Sequence, residues 1–240
     1  NNAAMPVQFA KNIVNFMPVT AAREMYEPLN RLKYAMQVPY YDQIRTWLPK
    51  LVKDKGVKKV CVVYQDDEFG LEVVRGTESG LKTVNLELAE KTSFKRGATD
   101  FSSQMAKLKG AGCELVVLGT IIRETIGTIA EARKTGFNPV MMGTAASYTD
   151  LIHKLGGKGM EGMYAVCTIA FPYLDEASQP IRFWATKYKT KFNEDPSTYS
   201  AYGYIIIDAF AKAAAQAGPS LSTDSFIKAM DSLTFPPDLF

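Results

Sequence analysis

Short apolar segments alternate along the chain with segments whose apolar residues recur at helical spacing. The clearest apolar segment covers residues 60–64, and a polar stretch separates it from a helix-like segment with Leu71, Val74 and Leu81 on one face. An unbroken apolar run indicates a strand that is buried on both faces of a sheet. The alternation therefore predicts successive strand–helix–strand units and a parallel sheet.

The same alternation continues to about residue 171. Val84, Leu86 and Leu88 alternate with other residues and indicate a half-exposed strand. Further strands are predicted at 115–118, 140–142 and 163–169, and helices at about 41–53, from 99 onward, at 124–135 and near 148–155. Together these elements predict one doubly wound domain over residues 40–171.

The flanking segments, 1–39 and 172–240, show a different pattern. Upstream, a strand is predicted at 13–16, followed by a loop that enters a helix near Thr20. Downstream, helical segments at 178–192, 199–217 and 223–232 follow one another without strands. Because one strand cannot close a sheet, the flanks either pack on the central domain or belong to a second lobe whose other strands are missing from this sequence.

Composition and charge exclude several classes of protein. The chain is 47% hydrophobic and 22% charged, which is typical of a globular domain. Its net charge of +3 is spread along the chain, so nucleic-acid binding is not expected. The longest apolar stretch, 199–210, is interrupted by Ser200, Gly203 and Asp208, so no membrane span is predicted.

Signatures of catalysis, metal binding and cofactor binding are absent from the sequence. His153 is the single histidine, and no nucleophile–base pair or Gly-x-Ser-x-Gly motif can be assembled. The acidic stretch 66–68 lacks the spacing of a calcium loop, and 119–123 lacks the glycines of a nucleotide loop. Cys61, Cys113 and Cys167 form no Cys-x-x-Cys motif and lie in or beside apolar runs, so we expect inert buried thiols. The sequence therefore predicts a protein without enzymatic activity, metal or cofactor.

Ligands of open parallel sheets bind beyond the carboxyl ends of the strands, which selects the loops 18–23, 65–70, 119–124 and 143–148. The first loop reads Thr20-Ala21-Ala22-Arg23, whose small residues would leave backbone N–H groups open to a carboxylate or another anion. Alternatively, Thr20 caps a helix and Arg23 is solvated.

Several segments, in this order and spacing, resemble one known family across nearly the whole chain. They are 60–70 (VCVVYQDDEFG), 97–102 (GATDFS), 115–119 (LVVLG), 131–136 (EARKTG) and 195–197 (DPS) with Gly203-Tyr204 and Asp208-Ala209. Together they resemble the type I periplasmic solute-binding proteins of ABC transporters, the branched-chain amino-acid receptor family. The resemblance implies an α/β protein of two lobes, in which 40–171 is the second lobe and 1–39 with 172–240 is part of the first. It also implies that the sequence is a fragment of a longer receptor.

The resemblance implies a ligand site formed by both lobes, with Val19, Thr20, Ala21 and Tyr199 from the first and Phe69, Ile121 and Ala145 from the second. Phe69, Ile121 and Tyr199 could alternatively be core residues. Amino-acid binders of this family place an acidic residue after the strand that ends here at Gly143, where this chain has Thr144-Ala145-Ala146. A buried ammonium group without a partner would cost on the order of several kcal/mol. We therefore expect a small carboxylate with an apolar or aromatic body.

The function implied by the resemblance is that of a periplasmic or extracellular solute-binding component of an ABC importer. Its partners would be a small-molecule ligand and an ABC permease, and the ligand would be held by hinge closure. Two other classes stay open: a ligand-sensing domain of a receptor or regulator with the same lobe fold, and an α/β enzyme, which the missing catalytic signatures disfavour.

Overall fold

The computed structural model describes residues 2–235 and 240, which fall into two compact units. Unit 1 comprises Asn1–Gln37 and Ile169–Phe240, and unit 2 comprises Val38–Thr168. Unit 1 begins with helix α1 (Met5–Ala10), strand β1 (Asn15–Phe16), a 3-10 helix (Arg23–Met25) and strand β2 (Lys33–Tyr34).

Unit 2 is a doubly wound parallel sheet with helices on both faces. Its elements are α2 (Tyr40–Lys55), β3 (Val60–Gln65), α3 (Glu68–Lys82), β4 (Leu88–Phe94), α4 (Ser102–Gly110), β5 (Leu115–Gly119), α5 (Ile122–Lys134), β6 (Val140–Gly143), α6 (Leu151–Gly156) and β7 (Tyr164–Ala165). The strand order is β4-β3-β5-β6-β7, and every neighbouring pair is parallel. The predicted fold class of this region is confirmed.

Side chains of the central strands alternate between two cores. Cys61 and Val63 of β3 pack with residues of α4 and α5 on one face of the sheet. Val60 and Val62 pack with residues of α2 and α3 on the other face. The unbroken apolar run therefore has the predicted cause, which is burial on both faces.

Two strand boundaries differ from the prediction. The residues 83–86 are not a strand but the turn that ends α3, where the N–H of Leu86 donates to the carbonyl of Leu81 at 3.0 Å and Asn85 has a φ of 57°. Apolar residues in such a helix-ending turn pack back onto the helix, which imitates the alternation of a strand. The predicted strand 163–169 is limited to β7.

Cys61 and Cys113 form a disulfide with a Cα–Cα distance of 5.9 Å. Cys113 lies two residues before β5, which pairs with β3, so the parallel ladder brings the two cysteines together although 52 residues separate them. Both are buried, whereas Cys167 is exposed. The prediction of three buried thiols is wrong because the pairing depends on strand order, which cysteine spacing does not reveal.

Unit 1 continues with α7 (Gln179–Phe192), α8 (Thr198–Ala217) and α9 (Thr223–Ser232). Its strands β1 and β2 form a two-stranded parallel sheet. Phe16 of β1 packs edge-on against Phe226 of α9 at 5.3 Å between ring centroids, and the hydroxyl of Tyr34 donates to Asp231 at 2.9 Å. The predicted strand 13–16 is reduced to β1.

The helix predicted near Thr20 is only the short 3-10 helix. Pro28 follows it closely and cannot donate a backbone hydrogen bond, so a longer helix has no room to form. The loop that was predicted to enter a helix therefore stays a loop over most of its length.

A groove of about 870 Å³ runs between α7 and α8. Trp184 and Tyr188 stack in it at 5.4 Å between centroids, and Tyr204 meets Trp184 edge-on. Ile207 and Phe183 border the groove with 65% and 70% of their surface exposed. Phe240 packs edge-on against Trp184 at 5.1 Å between centroids, so the apolar face of these helices is partly covered and stays exposed at Phe183 and Ile207.

Candidate functional site

Three of the predicted ligand positions lie at one edge of the unit 2 sheet. Tyr64 of β3 is in register with Gly119 of β5, and Leu118 of β5 is in register with Gly143 of β6. The loops that follow these strands are therefore neighbours at the carboxyl edge of the sheet, where ligands of doubly wound folds bind. Ile121 lies in the loop after β5, whereas Phe69 is in the first turn of α3 and Ala145 begins a short 3-10 helix after β6.

The loop after β3 is held by its own side chains. Asp67 caps α3 by accepting the N–H of Gly70 at 3.2 Å and also accepts a hydrogen bond from the Gln65 amide. A Cβ at Gly70 would lie 1.9 Å from the carbonyl oxygen of Gln65, so this close approach requires glycine. Asp66 pairs with Lys95. The acidic residues of this loop thus have structural roles.

Phe69 is half-buried at the start of α3. Its ring meets the Tyr40 ring edge-on at 4.7 Å between centroids, and both rings border the core of α2 and α3. Edge-on packing of this kind fixes a ring in position and leaves its outer face available for another apolar group. The position suits both the ligand interpretation and the core interpretation.

Buried hydroxyl groups join the loop after β5 to the turn after β6. The Oγ1 atoms of Thr120 and Thr125 are 2.6 Å apart, and Oγ1 of Thr125 lies 3.1 Å from Oγ of Ser147. Ser147 closes the ring by donating to the carbonyl of Thr120 at 3.2 Å. All three side chains are buried, and a satisfied buried network of this kind rigidifies the loops around it. Ile121 lies between these anchors as the N-cap residue of α5.

Glu124 is a further polar residue near the loop after β5, in the first turn of α5. It is 1% exposed, and its Oε2 atom has no hydrogen-bond partner among the described residues. A buried carboxyl oxygen without a partner is costly, so it marks a place where another group could bind. The sequence analysis did not name Glu124 as a ligand residue, and the only signal for it was its position at the end of the selected loop 119–124.

The backbone of Ala145 is already fully hydrogen-bonded. Its N–H donates to Oε1 of Gln43 at 2.9 Å, and its carbonyl accepts the N–H of Tyr148 at 3.1 Å. Ala145 is 8% exposed, so it offers a ligand little more than its methyl group. Thr144 accepts the N–H of Ala146 at 3.2 Å. Gln43 was missed by the sequence analysis because 102 residues separate it from Ala145.

In unit 1, the loop that contains Val19, Thr20 and Ala21 uses most of its own donors. The N–H of Thr20 donates to the carbonyl of Pro18 at 2.7 Å, and that of Ala22 donates to the Thr20 hydroxyl at 3.3 Å. The expectation of open N–H groups is therefore wrong at Thr20 and Ala22. Ala21 is fully buried, and its N–H has no acceptor in the part of the chain that the structure describes.

The remaining side chains of this loop differ in availability. Val19 is half-exposed, and Thr20 retains a hydroxyl proton that it can donate. The Arg23 guanidinium binds Glu27 at 2.9 Å and lowers the pKa of that carboxyl. Arg23 is thus engaged in an exposed ion pair rather than pointing its charge to a ligand.

Tyr199 lies in the first turn of α8. Ser197 and Ser200 cap this helix reciprocally, at 3.3 Å for the N–H of Ser200 and 2.8 Å for the N–H of Ser197. Partial burial raises the pKa of the Tyr199 hydroxyl above its ordinary value. Its ring contacts Tyr202, and no hydrogen bond or ring contact joins it to residues 19–21 within the described chain.

Comparison with known proteins agrees with this arrangement. The family model described as a periplasmic binding protein matches residues 3–240. The chain belongs to the periplasmic binding protein family. Its fold is that of the type I members, with the doubly wound lobe present and the other lobe partial.

Individual relatives are distant in sequence and longer than this chain. The Leu/Ile/Val-binding protein homolog 7 of Brucella abortus is 26% identical over 161 residues, which is 65% of this chain and 40% of that protein. A substrate-binding periplasmic protein from Ralstonia solanacearum superposes with a TM-score of 0.85 at 21% identity, over 97% of this chain and 66% of its own. A fatty acid ABC transporter substrate-binding protein from Thermomonospora curvata gives 0.82 at 19% identity, over 96% and 60%.

The described residues contain no helix with the length and apolar character of a membrane span. They also contain no group of three or more histidine, cysteine, aspartate or glutamate side chains that could hold a metal ion.

Proposed function

We propose that this chain is the ligand-binding part of an extracytoplasmic solute receptor that delivers cargo to an ABC permease without catalysis. The observation that supports this most is the meeting of three loops, carrying Phe69, Ile121 and Ala145, at the carboxyl edge of the sheet in a member of this family. Unit 2 would be the second lobe and unit 1 part of the first. The Cys61–Cys113 disulfide fits an oxidising compartment such as the periplasm.

The proposed ligand is a small carboxylate with an apolar or aromatic body. Phe69 and Ile121 offer apolar side chains, and no acidic side chain occupies the position of Ala145. In the first lobe, the Thr20 hydroxyl and the N–H of Ala21 would hold the carboxylate, with Val19 and Tyr199 beside them. The fatty acid receptor from Thermomonospora curvata, whose ligand class carries no ammonium group, is compatible with this proposal.

The mechanism would be closure of the lobes around the ligand. A ligand that contacts both lobes stabilises the closed state by its additional contacts there. The buried hydroxyl ring would keep the unit 2 loops in one arrangement before the ligand arrives, which reduces the entropy that binding must overcome. Small-angle scattering with and without octanoate tests this mechanism, and an unchanged radius of gyration on saturation contradicts it.

A branched-chain amino acid is the second candidate ligand. The curated relative is named for leucine, isoleucine and valine, and the unpartnered Oε2 of Glu124 could pair with an ammonium group. In that case Glu124→Gln would abolish leucine binding and leave octanoate binding unchanged.

Isothermal titration with octanoate, phenylacetate and L-leucine separates the two candidates. We expect an apolar carboxylate to bind at least about tenfold more tightly than leucine, because no acidic residue follows β6. Phe69→Ala should weaken its binding by roughly tenfold, while Phe183→Ala, an exposed phenylalanine of α7, is the matched control and should not. Tighter binding of leucine overturns the proposed ligand class, and binding of none of the three overturns the proposal of a small carboxylate.

A further inference from the structure

Gln43 links two distant parts of unit 2. It lies in the first turn of α2 and is 1% exposed. Its Nε2 donates to the carbonyl of Val38 at 2.7 Å, and its Oε1 accepts the N–H of Ala145 at 2.9 Å. Val38 is the residue at which the chain enters unit 2, and Ala145 is a predicted ligand position.

Glutamine is specifically suited to both contacts. The amide nitrogen of glutamine can only donate and donates here to a carbonyl, and the amide oxygen can only accept and accepts here from an N–H. Methionine has the same length and makes neither contact. Glutamate can accept from Ala145, but its carboxylate cannot donate to Val38. Asparagine is one methylene shorter.

The turn that carries Ala145 is held from two sides. On one side, Ser147 joins the hydroxyl ring with Thr120 and Thr125. On the other side, Gln43 holds the N–H of Ala145, which has no other acceptor among the described residues. Removing Gln43 would therefore leave a buried N–H unpaired and free the Ala145 side of the turn.

We propose that Gln43 is a positioning residue of the ligand site, which ties the turn after β6 to the segment where the chain enters unit 2. Because Gln43 is hydrogen-bonded to both residues, a ligand that displaces Ala145 also shifts Val38, and a shift of Val38 displaces Ala145. The inference rests on the proposed function for its effect on ligand binding, whereas the tie itself does not depend on a ligand.

Amide hydrogen exchange of the 240-residue chain tests the tie without a ligand. In Gln43→Met, exchange at the Ala145 amide should be at least about fivefold faster, because its acceptor is lost. Gln43→Glu keeps that acceptor but loses the donor to Val38, so Ala145 exchange should be faster than in the unchanged chain and slower than in Gln43→Met. Thr77→Val is the matched control, since Thr77 is fully buried and its hydroxyl makes one hydrogen bond, to the carbonyl of Val73 at 2.8 Å.

Octanoate binding tests the functional consequence. Gln43→Met should raise the dissociation constant about fivefold relative to Thr77→Val, although both remove buried hydrogen bonds. The proposal is overturned if Ala145 exchange is unchanged in Gln43→Met, or if Gln43→Met and Thr77→Val weaken octanoate binding equally. If Gln43→Met does not fold, Ala145 exchange in Gln43→Glu that is no faster than in the unchanged chain overturns it. If the unchanged chain does not bind octanoate, the ligand proposal fails and the exchange experiment alone decides the inference.

Discussion

Units 1 and 2 both contain helices with apolar faces, but those faces reach different degrees of burial. In unit 2, five parallel strands are covered by helices on both faces, and the buried side chains form two continuous cores. Among the described residues of unit 1, the four α-helices α1, α7, α8 and α9 accompany a two-stranded sheet, and a small core with aromatic side chains forms around Phe16 and Phe226. Amphipathic helices therefore produce a closed core only where the sheet is wide enough to cover them.

Helix α8 shows the difference most clearly. Ala201 and Ala213 are buried on one side, whereas Ile207 and Phe210 are exposed on another. A helix with apolar residues around most of its circumference is typical of an element that is covered on more than one side. The contrast between the units can be measured, and four predictions test it in order of decreasing effect.

Removing the disulfide should have the largest effect, and the effect should be confined to unit 2. The double variant Cys61→Ala/Cys113→Ala opens a loop of 52 residues, which should lower the free energy of unfolding by about 4 kcal/mol by the chain-entropy relation. Urea unfolding followed by amide exchange would measure this, with Cys167→Ala as the control. A loss below about 1 kcal/mol, or loss of protection in unit 1 first, would contradict the prediction.

Truncating an apolar side chain should destabilise the chain much more in unit 2 than in unit 1. Leu118→Ala in β5 removes a fully buried side chain and should cost about 2–5 kcal/mol. Ile207→Ala in α8 removes a mostly exposed one and should change stability by less than about 0.5 kcal/mol. Thermal unfolding of the two variants measures the difference. Equal losses would mean that the exposed face of α8 is covered in solution.

Much of unit 2 could be predicted because its pattern is dictated by local burial. The apolar run of β3 indicated a strand covered on both faces, and the rule for parallel sheets selected the loops 65–70, 119–124 and 143–148, in which the resemblance implies Phe69, Ile121 and Ala145. The strand prediction is wrong at residues 84–86 because a helix-ending turn also buries alternate side chains.

The contacts that shape the site could not be predicted, because they depend on which strands are neighbours. The Cys61–Cys113 disulfide requires β5 to lie beside β3, and the contact of Gln43 with Ala145 joins α2 to the turn after β6. The choice of the Thr20 hydroxyl as a ligand group stays a prediction, whereas the Thr20 N–H that was expected to be open donates to the carbonyl of Pro18.

Helix caps offer a matched pair, one in each unit. Asp67 caps α3 by accepting from Gly70 at 3.2 Å, and Ser197 caps α8 by accepting from Ser200 at 3.3 Å. Replacing either cap with alanine should cost about 1 kcal/mol. We expect Asp67→Ala to lower amide protection in unit 2 and Ser197→Ala to lower it in unit 1. If either variant destabilises both units alike, the two do not unfold independently.

The smallest expected effects are two pH dependences, one at each end of the scale. Hydrogen bonds from the backbone N–H groups of Lys58 and Lys59 lower the pKa of Glu114 in unit 2. The ionised Glu114 carboxylate therefore stabilises the fold above the unfolded pKa of about 4.3, and this stabilisation is lost as the pH falls through the lower pKa of the folded state.

In unit 1, burial and then the hydrogen bond to Asp231 raise the pKa of Tyr34. The neutral phenol is thus favoured in the folded state, so stability is constant below the unfolded pKa of about 10 and declines above it. Amide exchange and urea unfolding across the pH scale should show that Glu114→Gln flattens the acid limb in unit 2 and Tyr34→Phe flattens the alkaline limb in unit 1. An acid limb unchanged by Glu114→Gln, or an alkaline limb unchanged by Tyr34→Phe, would show that other groups govern the pH response of that unit.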